Sequence, residues 1–249
     1  MVCVAVSNFS EAKNNGNVAM DNAVLSGQHQ HDRQLLATIP GGKTMSDSLR
    51  KLQTRVGTEP DGGWGPNTAR KVTQHFELSP KRAAHLLGQV VHESGTFQHV
   101  EENLNYSVDA CLRVFGKYFK TEEDAKPCAR NPQALANKVY GHRMGNQEVE
   151  NGGWLYRGRG YLQVTGRDNV RSFASDMRLP EVMDNPDLIA EDYAMDSAIW
   201  FFRKNKLWTI CDEGVTDEVI KKVTRRVNGG YNGLDHRIKE TKKIYQWLI

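Results

Sequence analysis

Much that would assign this chain to a familiar class is missing from it. No apolar run approaches the ~20 residues that a membrane-spanning helix needs, so no membrane insertion is expected. The opening stretch, MVCVAVSNFSEAKNNG, has neither a basic leading segment nor an adequate apolar core, and makes a poor secretory signal. The 4 cysteines stand at 3, 111, 128 and 211, with no CxxC pair and no zinc-type spacing. Reduced, mostly buried thiols in a reducing compartment are the expectation, with a Cys111–Cys128 disulfide as the alternative. A HExxH motif would need histidine at position 96, where Thr96 stands. His92, His99, His142 and His236 offer no spaced ligand set, so neither metal nor cofactor is expected. Ser94 lies in HESG rather than in a nucleophile elbow. A net charge of +3 suits an anionic partner but is too weak to argue for nucleic acid.

What remains is an ordinary soluble composition, 39% hydrophobic and 25% charged over 249 residues. Residues 1–44 stand apart, rich in Asn, Gln, Ser and Ala without a sustained period, and read as a disordered extension. Codons for Gly41-Gly42-Lys43 can spell a purine-rich ribosome-binding site, which points to Met45 as the natural start. From there the pattern is helical. Leu49, Leu52 and Val56 repeat at helical spacing, and Ala69, Val72 and Phe76 mark a second helix. Ser79-Pro80 caps a third, whose Ala83, Ala84, Leu87, Val90 and Val91 form a core stripe ending near Ser94-Gly95. Ser107 and Thr121, the latter with Asp124 three residues on, open further helices. Others are predicted over 132–141, 168–178, 191–205, 216–227 and 234–248, giving one mostly α domain over 45–249.

One stretch resists this reading. In WLYRGRGYLQVTGRDN, residues 154–169, the odd positions Leu155, Arg157, Arg159, Tyr161, Gln163 and Thr165 are mostly polar. The even positions between them are small or apolar. An extended chain would put these sets on opposite faces, so a small β element with one polar face is predicted over about 155–165. Arg157 and Arg159 either pair with acids or meet a ligand.

A carboxyl at the end of an apolar helix, such as Glu93, is placed for desolvation, which favours its protonated form. A second carboxylate beyond a loop, such as Glu102, can stay ionised and activate water. Glycoside hydrolysis needs such a pair. Two glutamates nine apart would on their own be unremarkable surface acids. However, HESGTF, EENLNYS, GGWLYRGRGYLQVTGRDN and RRVNGGYNGLDHR, in this order, resemble glycoside hydrolase family 19. The likeness leans to the phage branch, the endolysins that degrade bacterial peptidoglycan, and covers about residues 80–249. Residues 49–76 also resemble part of a peptidoglycan-binding repeat, through its LQ, DG-aromatic-G and P-x-T elements. The alternative for that segment is a helix–loop–helix packed on the catalytic domain, with Trp64 as loop anchor.

The resemblance implies a lysozyme-like, two-lobed helical fold with a small β element and a glycan cleft. It implies Glu93 as general acid, Glu102 as general base and Thr165 as the hydroxyl holding the attacking water. It further implies Gln163 as a sugar hydrogen-bonder, Asn228 as a contact to an N-acetyl group, and Arg237 as the cation beside the acid. Tyr161 stands where the family commonly has a small or apolar residue and would line the polar face. Tyr106 would stack on a sugar, and His92 either orients the acid's loop or is a satisfied core histidine. Tyr140, Arg143 and Asn146 in VYGHRMGN build either a subsite or a plain helix end. The implied reaction is cofactor-free, inverting hydrolysis of β-1,4 bonds in peptidoglycan, with the carboxyls ~6.5–9.5 Å apart. The implied setting is a monomer in the infected host's cytoplasm, released to the periplasmic wall by a holin-type protein. A chitinase, a wall-binding protein without catalysis and a lytic transglycosylase are the rival readings.

Overall fold

The computed structural model describes residues 47–249. The expectations for residues 1–44 and for Met45 as the start fall outside the described residues. In chain order the helices are α1 Asp47–Arg55, α2 Pro66–His75, α3 Pro80–Glu93, α4 Val108–Val114, α5 Glu122–Ala125, α6 Pro132–Tyr140 and α7 Gly152–Leu155. They continue as α8 Arg167–Met177, α9 Glu181–Asp184, α10 Leu188–Glu191, α11 Ala194–Lys204, α12 Leu207–Asp212, α13 Asp217–Asn228 and α14 Leu234–Leu248. The fold is mostly α. Its β content among the described residues is two isolated bridges, which pair Arg159 with Glu101 and with Val164.

The helix starts follow from local chemistry. The Ser79 hydroxyl accepts from the Arg82 N–H, with Pro80 in the first turn of α3, where no N–H is needed. The Ser107 hydroxyl caps α4 through the Ala110 N–H. Thr121 and Asp124 form a reciprocal capping box on α5.

Two compact units emerge. One runs to His99 and resumes over Met195–Ile249; the other is Val100–Ala194. In the first, α14 lies along α3 as the most extensive helix pairing. The predicted stripe of α3 is buried throughout. Gly88 makes the close approach possible, since a Cβ there would fall 2.1 Å from Thr241 Oγ1 and 3.0 Å from its Cα. The segment resembling a wall-binding repeat is built into this unit. Buried Gln53 donates to Asp61 Oδ1 at 2.7 Å and accepts from the Gly62 N–H at 2.8 Å, bracing the loop after α1. Trp64 packs on Phe97 with ring centroids 4.6 Å apart. Buried Arg55 forms a two-pronged ion pair with Asp196 at the start of α11.

In the second unit, residues 155–165 do not form the extended strand that alternation predicts. After α7 the chain turns twice, with Gly160 at φ +80° and Gln163 at φ +55°. Each left-handed residue resets the alternation of side chains. Tyr161, Leu162 and Val164 are therefore all buried, and Tyr161, at 2% exposure, does not line an open polar face. Arg157 and Arg159 are buried too, and serve structure. Arg157 bridges Glu101 and Asp187, and Arg159 reaches the same Asp187 at 2.6 Å while donating to the Leu155 carbonyl. Cys111, Cys128 and Cys211 are buried free thiols.

Candidate active site

Glu93 is the last residue of α3, and its side chain is 15% exposed. The guanidinium of Arg237, on α14 and fully buried, donates from Nη2 to Glu93 Oε1 at 2.5 Å. The same guanidinium donates to Gln89 Oε1 and to the Asn232 carbonyl. Gln89 in turn donates to Thr224 Oγ1 at 3.2 Å. Glu93 Oε1 is thus anchored through a buried polar chain that spans α3, α13 and α14. A buried cation is tolerated only when its donors are satisfied this way. Gln89 was not singled out from the sequence. Its position four residues before Glu93, on the same helix face, was the available signal.

His92 makes an Nδ1–Nδ1 contact of 3.0 Å with exposed His236, so one ring must carry that proton. Burial, then the charges of Arg237 and His236, pull His92 down to about 4. It therefore stays neutral at ordinary pH beside Glu93. Asn228 closes α13 and is half-buried, with its amide making no hydrogen bond among the described residues.

The second unit carries the other carboxyl. Glu102 lies just after the bridge residue Glu101, and its backbone N–H donates to the Gly158 carbonyl at 3.0 Å. Its Oε1 accepts from the Tyr140 hydroxyl at 2.6 Å, and its Oε2 faces the Gly158 N–H at 3.4 Å. Burial raises the Glu102 pKa; the Tyr140 and Gly158 hydrogen bonds and the charge of Arg157 act against that rise. Tyr106, half-buried, rests edge-on against Phe115, with its hydroxyl pKa raised by burial and by the charge of Glu102.

Gly158 is the point on which three of this unit's predicted residues converge. A Cβ there would fall 2.5 Å from Gln163 Oε1, 3.1 Å from Thr165 Oγ1 and 3.3 Å from Glu102 Cβ. The candidate base, the candidate water-holding hydroxyl and the predicted sugar-bonding amide thus surround one bare backbone. Gln163 is held by its own Nε2, which donates to the Gly160 carbonyl at 2.9 Å. Thr165 Oγ1 donates to the Gln163 carbonyl at 3.2 Å, which leaves its lone pairs open.

The residues of VYGHRMGN turn to different partners, with Arg143 donating to the Tyr118 hydroxyl at 2.9 Å. Tyr140 reaches Glu102. Asn146 is fully buried, donating to the Tyr140 carbonyl and accepting from the Arg167 N–H. Among the described residues no group of three or more His, Cys, Asp and Glu could hold a metal ion. No described helix is long and apolar enough to cross a membrane.

No family model matches the chain. A protein of Haemophilus influenzae named as a glycosyl hydrolase family 19 domain-containing protein is 40% identical over 167 residues, which is 65% of this chain and 78% of that relative. At that identity over most of the relative's length, and with a mostly helical fold, the chain belongs to glycoside hydrolase family 19.

Proposed function

We propose that this glycoside hydrolase is an endolysin that cuts β-1,4 bonds of bacterial peptidoglycan with inversion. The observation that carries the proposal is the convergence of Glu102, Thr165 and Gln163 on Gly158, and the resemblance to the family gives the acid role to Glu93. Inverting hydrolysis uses two carboxyls, one as acid and one as base, and the proposal gives these roles to Glu93 and Glu102. Glu93 gives its proton to the leaving oxygen as the C1–O bond breaks. Water held by Thr165 Oγ1 attacks C1 from the opposite face and passes its proton to Glu102. One C–O bond forms, one breaks, and one proton is lost from Glu93 as another reaches Glu102. A raised pKa makes Glu102 a stronger base, provided the pH stays above it.

Three features favour a murein substrate over chitin. The ordered motifs are closest to the endolysin branch. Residues 49–76 keep elements of a wall-binding repeat. Lys221, Arg225 and Arg226 form an exposed basic face on α13, suited to an anionic polymer at low salt. In this reading the protein acts as a monomer, accumulates in an infected cell's cytoplasm and reaches the wall after a holin-type lesion.

The test is parallel digestion of purified murein and chitin oligomers. Mass spectrometry would read the new reducing-end sugar, and proton NMR the first anomer released. Murein cleavage yielding the α-anomer first is expected. Cleavage of chitin alone, anhydro-muramic ends, or sedimentation with murein without new reducing ends would each overturn the proposal.

A further inference from the structure

The least expected contact in the second unit joins two residues far apart in sequence. Tyr140, at the C-terminus of α6, is 4% exposed and donates its phenolic hydrogen to Glu102 Oε1 at 2.6 Å. The ring cannot move away easily. Its backbone carbonyl is fixed by buried Asn146, which also holds the Arg167 N–H at the start of α8. One carboxyl oxygen of Glu102 is therefore committed to a rigid donor. The other meets only the long 3.4 Å approach of the Gly158 N–H.

From this geometry we infer that Tyr140 is the positioning residue for the base: its phenol pins Oε1 so that Oε2 is the atom that takes the proton from water. The inference rests on the assignment of Glu102 as general base. It adds which oxygen accepts the proton and which residue sets the base's strength. The charged and titratable groups facing Glu102 are Tyr140, Tyr106 and Arg157. Tyr118 adjoins Tyr140 on its other side. Burial, then the neighbouring Glu102 charge and the hydrogen bond to it, push the Tyr140 hydroxyl far up. The phenol thus stays a donor through any working pH and never competes as a base. Its hydrogen bond favours the Glu102 carboxylate, opposing the upward push of burial.

The sign of the effect follows. Tyr140→Phe keeps the ring and deletes the donor, so the Glu102 pKa rises further. A base works only when ionised, so the acid limb of kcat/KM moves to higher pH, by about one unit for a hydrogen bond to a charged group. We expect kcat to fall at neutral pH while KM changes little, because the phenol is committed to Glu102. Carboxyl-carbon NMR of glutamate-labelled protein reads the same shift without substrate, so it tests Tyr140 even if murein proves not to be the polymer. In the unmodified protein, the Glu102 carboxyl and Tyr140 Cζ resonances should titrate with a shared midpoint. That measurement stands even if the variant fails to fold. An unmoved acid limb with an unmoved Glu102 midpoint in Tyr140→Phe, or separate midpoints in the unmodified protein, would overturn the inference.

Discussion

A close-approach demand within the candidate site falls on Gly158, and Gly158→Ala tests it. A single methyl there would sit 2.5 Å from Gln163 Oε1, well inside contact distance, and 3.1 and 3.3 Å from Thr165 Oγ1 and Glu102 Cβ. Gln163 can swing its amide end away, but then loses the 2.9 Å bond to the Gly160 carbonyl, worth about 1 kcal/mol. Backing the whole segment off instead strains the Glu102 N–H to Gly158 carbonyl bond of 3.0 Å and moves the base itself. Either route costs about 2 kcal/mol as local overpacking, a fall of roughly 4–8 °C in melting temperature. Activity suffers more, because a displacement near 1 Å at a reacting group costs about 100-fold. The assay pairs calorimetric melting with initial rates of reducing-end release from murein. A loss near 100-fold with modest destabilisation is expected. If Gly158→Ala keeps a rate within about threefold of the unmodified protein, on the scale set by that geometric penalty, the convergence argument is wrong.

Two further substitutions probe the first unit. Arg237→Met removes a buried guanidinium and takes away its hydrogen bonds to Gln89 Oε1 and Glu93; with Glu93 15% exposed, about 3 kcal/mol is expected, near the lower end for a broken buried pair. Melting should drop by roughly 6–12 °C; a change within about 1 °C, below the size per kcal/mol that this scaling implies, would refute the buried-anchor reading. Gly88→Ala sets two effects against each other. Alanine gains about 1 kcal/mol of helix propensity, but its Cβ would meet Thr241 Oγ1 at 2.1 Å and the Thr241 Cα at 3.0 Å. Backbone cannot yield as a side chain does, so net destabilisation of about 1–2 kcal/mol should appear in denaturant unfolding. A stabilised variant would contradict the packing of α14 on α3.

The sequence and the structure agree where local signals are strong. The stripe on α3, the Ser79 cap and the Thr121–Asp124 box are short-range features, and each helix they announce is present. The single-turn helices α7, α9 and α10 are too short to show a period, and no such period marked them. Alternation failed over 155–165 for a physical reason. Parity holds only while the chain stays extended, and Gly160 and Gln163 turn it. A non-glycine residue at positive φ is rarely anticipated from sequence. The same holds for the site. The order of the motifs offers Glu93, Glu102 and Thr165 as candidates, and the structure adds what surrounds each of them. The phenol on Glu102 arises from tertiary packing across 38 residues, for which no local pattern exists, whereas the guanidinium on Glu93, 144 residues away, is the cation that the family resemblance implies at Arg237. Tyr161 was placed on a polar face by parity and lies inside instead.

The account depends above all on Glu93 giving up a proton to the leaving sugar. Glu93→Gln keeps an oxygen acceptor for Arg237 and nearly the same volume, so the fold should persist by circular dichroism and melting. Reducing-end release from murein by this variant should then fall by about 100-fold or more, the share that general acid catalysis carries. Release at a rate within a few-fold of the unmodified protein, with the fold intact, would contradict the acid assignment and the mechanism built on it.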